Sequence, residues 1–362
     1  MSSKSVRKTL LTSIMLFGIA LLIYVVELFP EVILKFYSNG IYQVTSVTQR
    51  FISSIFPLAL GDILYFALII VLLRLSYKFF SRVKKTGWKK SDRVTVPLTI
   101  LNTGLLFFIS FKLLWGLNYA RPTINKQLNI GEEKYTVQNL VTLGNYFINR
   151  VNMLEQKKTP NLAYNVNQLR EQSVLAYKQI ASKNSFFEYR SPSVKRVTSD
   201  WLTSQIGIEG YYNPLSAEAN LNMKLPSWVL PFVSCHEIAH QLGVAKEDEA
   251  NLVAYLVGKD STDANLQYSV NYNMLRYILL EIRIKSPEDY VAMREKINKG
   301  VINDFKAESE FWAQYDSQMS EYMSMAFDKF LKLNKQKSGI KSYQNIVIWL
   351  WNIHKDELAI AK

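Results

Sequence analysis

The chain has 362 residues, 49% of them hydrophobic and 13% aromatic, with a net charge of +13 and one cysteine, Cys235. This length exceeds one ordinary domain, and a single cysteine excludes an intramolecular disulfide. No nucleic-acid module accompanies the basic charge, so nucleic acid is not an expected partner; many of the basic residues lie beside apolar spans, where they set topology or meet anionic lipid headgroups.

In chain order, the first third reads as membrane. Apolar runs of spanning length cover residues 10–28, closed by Glu27 and Pro30, then 55–77 and 94–115. They predict three transmembrane helices in a unit covering residues 1–120, with the lipid bilayer as a partner. The first run is long for a signal peptide and no small-residue cleavage site follows it, so it is expected to remain as a span. The segment joining the second and third runs carries Lys78, Arg82, Lys84, Lys85, Lys89, Lys90 and Arg93, and the N-terminus carries Lys4, Arg7 and Lys8. The segment joining the first and second runs has only Lys35 and Arg50. Basic flanks favour the cytoplasmic side, so everything after about residue 120 is expected on the opposite face. Asp62 and Lys112 intrude on the spans at similar depth, and are expected either to face each other or to reach the interface.

Residues 121–362 read as a second, mainly helical unit. Apolar residues recur at helical spacing over 137–154, 167–182, 265–284 and much of 305–333, and Pro160, Pro192, Pro214, Pro226 and Pro287 separate such segments. Residues 207–222 are the exception, with turn residues followed by a short extended stretch. The expected fold class is therefore mainly α, with three N-terminal transmembrane helices and a helix-rich unit carrying a small β element.

Two of the chain's three histidines fall in His236-Glu237-Ile238-Ala239-His240. Residues four apart share a helix face, so both imidazoles can meet one metal ion. Glu237 then sits beside that ion, where a carboxylate takes a proton from activated water. Chance produces the pattern roughly once in a thousand chains of this composition. The surrounding Cys235, Ile238, Ala239, Gln241 and Leu242 are uncharged, as a buried ligand helix requires, and Gly243 stops the helix. Cys235 itself reads as a small buried hydrophobe. Two imidazoles and a carboxylate suit one zinc per chain. The third ligand is expected from the acidic cluster that opens the next helix. Glu247 is the first choice, with Asn251 on its face buttressing a histidine; Glu249 competes, and Asp248 is expected in solvent.

HEIAH followed by Glu247-x-x-Ala250-Asn251 resembles the zincin superfamily in its glutamate-ligand branch. Lys246 stands where a metzincin would carry its third histidine, which argues against that group. The three spans, the WGLNY stretch at 115–119, NPLSAEANLN, HEIAHQLG with EDEAN, and GIKSY at 339–343 resemble a bacterial membrane family with an HExxH motif and no assigned substrate. The resemblance implies a zincin-like fold for 121–362 and, with the charge asymmetry, a multi-pass protein of the bacterial inner membrane whose C-terminal unit faces the periplasmic side. It also implies an edge strand just before the active helix. Residues 216–222 occupy that place, making Glu218 and Asn220 candidate cleft residues. Tyr343 and His354 are weaker candidates for a donor to a developing oxyanion.

The function expected is a membrane-anchored zinc metallohydrolase, a peptidase acting on polypeptide, with Glu237 activating a zinc-bound water. Two alternatives stay open: a catalytically inactive membrane binding or sensing module, and a zinc amidase acting on a cell-wall component.

Overall fold

The structure, a computed structural model, describes residues 2–160, 162–336, 339 and 343–360. Three of the described helices are long and apolar enough to cross a membrane: α1 (Ser2–Val26), α4 (Leu60–Thr86) and α5 (Asp92–Leu114). The second begins later than expected, after Pro57, and runs on through the basic segment to Thr86. Lysine and arginine propagate a helix well, and their long stems let a span continue into the headgroups. Between α1 and α4 lie α2 (Pro30–Val32), a π-helical stretch (Ile33–Ile41) and α3 (Tyr42–Ser54). This segment reads in sequence only as a connection. A 3-10 turn, Gly116–Ala120, and α6 (Ile124–Gln127) follow α5.

The expected pairing of Asp62 with Lys112 is not found, and neither residue is left to the interface alone. Asp62, in the first turn of α4, accepts from the Thr198 backbone N–H at 3.2 Å and from the hydroxyls of Thr198 and Tyr211. Lys112, in the last turn of α5, pairs with Glu27 at 2.8 Å and donates to Asn334 at 3.0 Å. Each charge has found a partner outside the spans, because the second unit packs directly on their ends.

That unit is built from α7 (Val137–Glu155), α8 (Val166–Ala181), α9 (Asp200–Gln205), α10 (Leu230–Gln241), α11 (Glu247–Gly258), α12 (Ala264–Lys285), α13 (Pro287–Arg294), α14 (Lys299–Ala313), α15 (Gln318–Leu333) and α16 (Tyr343–Ile360). Its helices form where one face is apolar and the start is capped. In α7, Leu140, Leu143, Phe147, Ile148, Val151 and Leu154 are buried at helical spacing, and the Thr136 side chain accepts from the Asn139 N–H. A capping box of Asn165 and Gln168 starts α8. The expected helix over 305–333 is two, because Ser317 caps a new one with Ser320.

Three strands form one sheet in the order β1 (Val194–Arg196), β3 (Glu218–Leu221), β2 (Gly210–Asn213), with β1 parallel and β2 antiparallel to β3. The expectation that 216–222 supplies the edge strand is therefore corrected. Residues 218–221 have a partner on both sides, and Gly210–Asn213 takes an edge.

Two apolar clusters result. One fills the interior between α7, α8, α10, α11, α12 and α16. The other joins Leu16, Tyr37, Tyr42, Ile109 and Trp115 from the membrane side to Tyr212, Ala217 and Ala245 of the second unit. Residue 120 thus marks a change of composition and no break in packing.

Candidate metal centre

Helix α10 carries the HEIAH segment through the interior. Pro231 sits in its first turn, and all its residues from Leu230 to Gln241 except His236 are buried. It stops at Gly243, whose φ of +82° suits glycine. A Cβ there would also lie 3.0 Å from Asn118 Oδ1 and from Tyr42 Cε1. The tight exit returns the chain at once, so α11 packs on α10 with its first residue, Glu247, opposite the histidines.

His236 Nε2 and His240 Nε2 are 3.1 Å apart. Glu247 Oε2 lies 3.2 Å from the first and Oε1 3.7 Å from the second. One ligand atom from each residue thus falls in a single cluster. Ligands about 2.0–2.1 Å from a tetrahedral zinc stand roughly 3.3 Å from one another, so the spacing fits. The outer ring nitrogens strengthen the point. His240 Nδ1 is 2.6 Å from the Val244 carbonyl oxygen, which can only accept. His236 Nδ1 is 2.8 Å from Asn251 Oδ1, while the Asn251 amide donates to Tyr277 Oη at 3.1 Å. Both protons therefore belong on Nδ1, and both Nε2 lone pairs point at one spot beside a carboxylate. Such an arrangement needs a cation. A proton is the smallest one: burial alone would lower the His240 pKa, yet Glu247 beside it carries it up to about 9. In turn, against the cost of burial, the two histidines hold the Glu247 carboxyl well below the usual carboxylate range.

Glu237 is 3% exposed, and its Oε2 is buried without a hydrogen-bond partner. Burial pushes its pKa up to about 7; the neighbouring histidines pull it down, and Glu247 and Glu209 push it further up. An orphaned buried carboxylate is costly, and a water or reacting group at the cluster would satisfy it. Its position depends on Gly210 in β2, where a Cβ would lie 2.8 Å from Glu237 Oε1 and 2.9 Å from the Asn220 carbonyl oxygen. Only glycine leaves that room.

The histidine helix is held from the membrane side. Trp115, the residue after α5, donates from Nε1 to the His240 carbonyl at 3.3 Å and sets its ring edge-on to the imidazole at 5.8 Å. Tyr42 of α3 donates to the His240 and Gln241 carbonyls at 3.2 and 3.0 Å. Two further tyrosines feel the charge of Glu247: Tyr119, raised well above 10 by burial first, and Tyr277, raised to about 12 for the same reason. Both stay protonated and able to donate. Glu209, whose pKa burial also raises, lies within reach of Arg276, Glu308 and His236. Tyr42, Tyr119, Glu209, Gly210 and Tyr277 escaped the sequence because they come from four separate segments; the WGLNY stretch drew notice only as a point of similarity, and residues 207–222 only as an extended piece.

The other expected site residues make contacts of their own. Glu249 pairs with Lys246 at 3.0 Å, away from the cluster. Asp248 is not in solvent: it is buried, caps the Glu249 N–H at 3.0 Å and accepts from Asn345 at 2.6 Å. Glu218 does not face the histidines; its carboxylate accepts from the Leu60 and Gly61 N–H groups at 3.0 and 2.8 Å and caps α4. Asn220 is buried on β3, paired with Tyr211 across the sheet. His354 is buried against Tyr255 Oη at 2.6 Å. Of GIKSY, residues 340–342 and the Tyr343 side chain lie outside the described residues. Cys235 is buried as expected, with its thiol pushed up to about 12 by burial.

Residues 37–351 match the family described as a protein of unknown function (DUF3810), and the chain belongs to that family. No curated protein matches the chain, and no solved structure does.

Proposed function

We propose that this DUF3810 protein is a membrane-anchored zinc hydrolase of zincin-like type, and that its substrate is polypeptide. The observation that carries the proposal is the meeting of two imidazole Nε2 atoms and a carboxylate, with a buried carboxylate whose Oε2 has no partner one residue along the same helix. His236, His240 and Glu247 would hold one zinc, oriented by Asn251 and the Val244 carbonyl. When bound, zinc supplies Lewis acidity that polarises a carbonyl and acidifies water.

The chain's own residues do the rest. Glu237 takes a proton from the attacking water and passes it to the leaving nitrogen; a general base is best placed with a pKa near the working pH, and burial brings Glu237 to about 7. Tyr119 and Tyr277, kept protonated and close enough to feel the charge of Glu247, are candidate donors to a developing oxyanion. The edge strand β2, beside Glu237, suits an extended substrate backbone. A purely structural site has no use for such a base, which favours hydrolysis over a binding or sensing module. The Lys/Arg asymmetry supports an outer-face location for the centre, and the resemblance supports a bacterial inner membrane, where a cell-wall amide is the other substrate to test.

The test compares wild type with Glu237→Gln in detergent, by metal content and by digestion of a peptide library and of cell-wall fragments. The proposal expects about one zinc in both proteins and hydrolysis reduced about 10²–10⁴-fold in the variant. Equal hydrolysis by the two proteins, or no zinc in either, overturns it.

A further inference from the structure

Helix α15 is exposed along almost all of its length. Met319, Tyr322, Met323, Ala326, Phe330 and Leu333 follow i, i+3, i+4, i+7, i+11 and i+14 spacing and form one apolar face. Tyr322 is 64% exposed and Leu333 84%. The opposite face carries Glu321, Ser324, Asp328 and Lys332, with Asp328 and Lys332 paired at 2.6 Å. A two-sided helix with its apolar side uncovered needs an apolar phase.

Its place in the fold names that phase. Past its C-terminal end, Asn334 accepts from Lys112 in the last turn of α5 at 3.0 Å, and Lys335 donates to the Glu27 carbonyl, just beyond α1, at 2.7 Å. Phe330 packs edge-on against Phe111 of α5 at 5.8 Å. At its N-terminal end, Ser320 lies beside Gly207, three residues before β2, whose Tyr211 binds Asp62 in the first turn of α4. The C-terminal end of α15 is thus tied directly to the level where α1 and α5 leave the span region, and its N-terminal end indirectly to the start of α4 through the segment from Gly207 to Tyr211. A 16-residue helix is about 24 Å long, so between those ties it runs across the ends of the spans. Trp201 and Leu202 of α9, beside the Thr198 contact to Asp62, are 60% and 51% exposed at the same level.

We propose that α15 lies in the interfacial layer of the bilayer, apolar face down, as a fourth membrane-contacting helix on the face that carries the metal cluster. Any bilayer wrapped around the three spans meets this helix, whereas a second copy of the chain would have to displace lipid to reach it. Amphipathic helices with aromatic and methionine side chains on one face bind in this way. The contact also reaches the site: Gln336, three residues past α15, accepts from the Glu247 N–H at 3.2 Å. The proposal stands whether or not the cluster is catalytic.

The test uses full-length protein in lipid nanodiscs with one nitroxide at a time, at Tyr322→Cys, Met323→Cys and Phe330→Cys on one face and Glu321→Cys, Ser324→Cys and Lys332→Cys on the other. Cys235 is buried and stays unlabelled. The six positions are exposed, and a thermal unfolding curve matching wild type confirms each fold. Apolar-face labels are expected to be at least several-fold more accessible to oxygen than to an aqueous nickel chelate, and polar-face labels the reverse. Equal chelate access at all six positions places the helix in water and overturns the proposal. So does spin–spin broadening between chains at the apolar-face labels, which identifies a second copy as the cover.

Discussion

The role of Asn251 offers the sharpest test of the metal cluster, because it supplies no ligand atom itself. Its Oδ1 holds the His236 Nδ1 proton at 2.8 Å, which fixes the tautomer and aims Nε2 at His240 and Glu247. Asn251→Ala removes that hold. Losing such a partner weakens metal binding by about 10–100-fold. With free zinc at 100 times the wild-type Kd, binding stabilises wild type by about 2.7 kcal/mol, and the weakened variant by about 0.4–1.4 kcal/mol. The lost hydrogen bond also costs about 1 kcal/mol without zinc, so unfolding must be followed with and without the metal and the two differences compared. Chelator competition then gives Kd directly. Glu237→Gln, which removes no ligand, serves as the control with affinity near wild type. An Asn251→Ala protein with wild-type Kd and an undiminished zinc-dependent shift would refute the tautomer argument and with it the cluster as drawn.

Three further outcomes follow from the same geometry. Gly210→Ala forces its new Cβ within 3 Å of Glu237; an overpacking cost of about 1–3 kcal/mol, read by chemical unfolding, should come with zinc affinity retained, and an unchanged unfolding midpoint contradicts the close approach. Glu27→Gln leaves Lys112 buried without its carboxylate and should cost about 3–5 kcal/mol, most of it recovered in Glu27→Leu with Lys112→Met; additive losses in the double variant argue against the pair. In metal-free protein the folded-state pKa of Glu237, near 7, exceeds the unfolded value near 4.5. Its contribution is therefore full below about pH 4.5 and lost as pH rises to about 7, so Glu237→Gln should gain on wild type across that window by about 3 kcal/mol and level off above it. A difference between the two proteins that does not vary with pH counts against a proton held by burial.

The sequence alone determined the elements whose signal is local. Three helices of spanning length follow from long, mostly apolar runs, since about 20 apolar residues suffice to cross hydrocarbon whatever surrounds them. That His236 and His240 share a face follows from helical periodicity, and so does the pairing of Glu247 with Asn251 on one face of the next helix, because four-residue neighbours share a face in any helix. The helix starts at Thr136 and Asn165 are likewise written in their caps. What required the folded chain was everything set by contact between distant segments. Glu218, Asp248 and Asp62 are acids whose partners lie on other elements, and nothing near them in sequence says that one caps a span, one is buried under α16 and one binds β2. The edge position fell to Gly210–Asn213 because strand order depends on pairing across loops, which periodicity does not encode. Which carboxylate meets the histidines depended on the turn at Gly243: Glu247, the first residue of α11, lies against the imidazoles, whereas Glu249 pairs with Lys246.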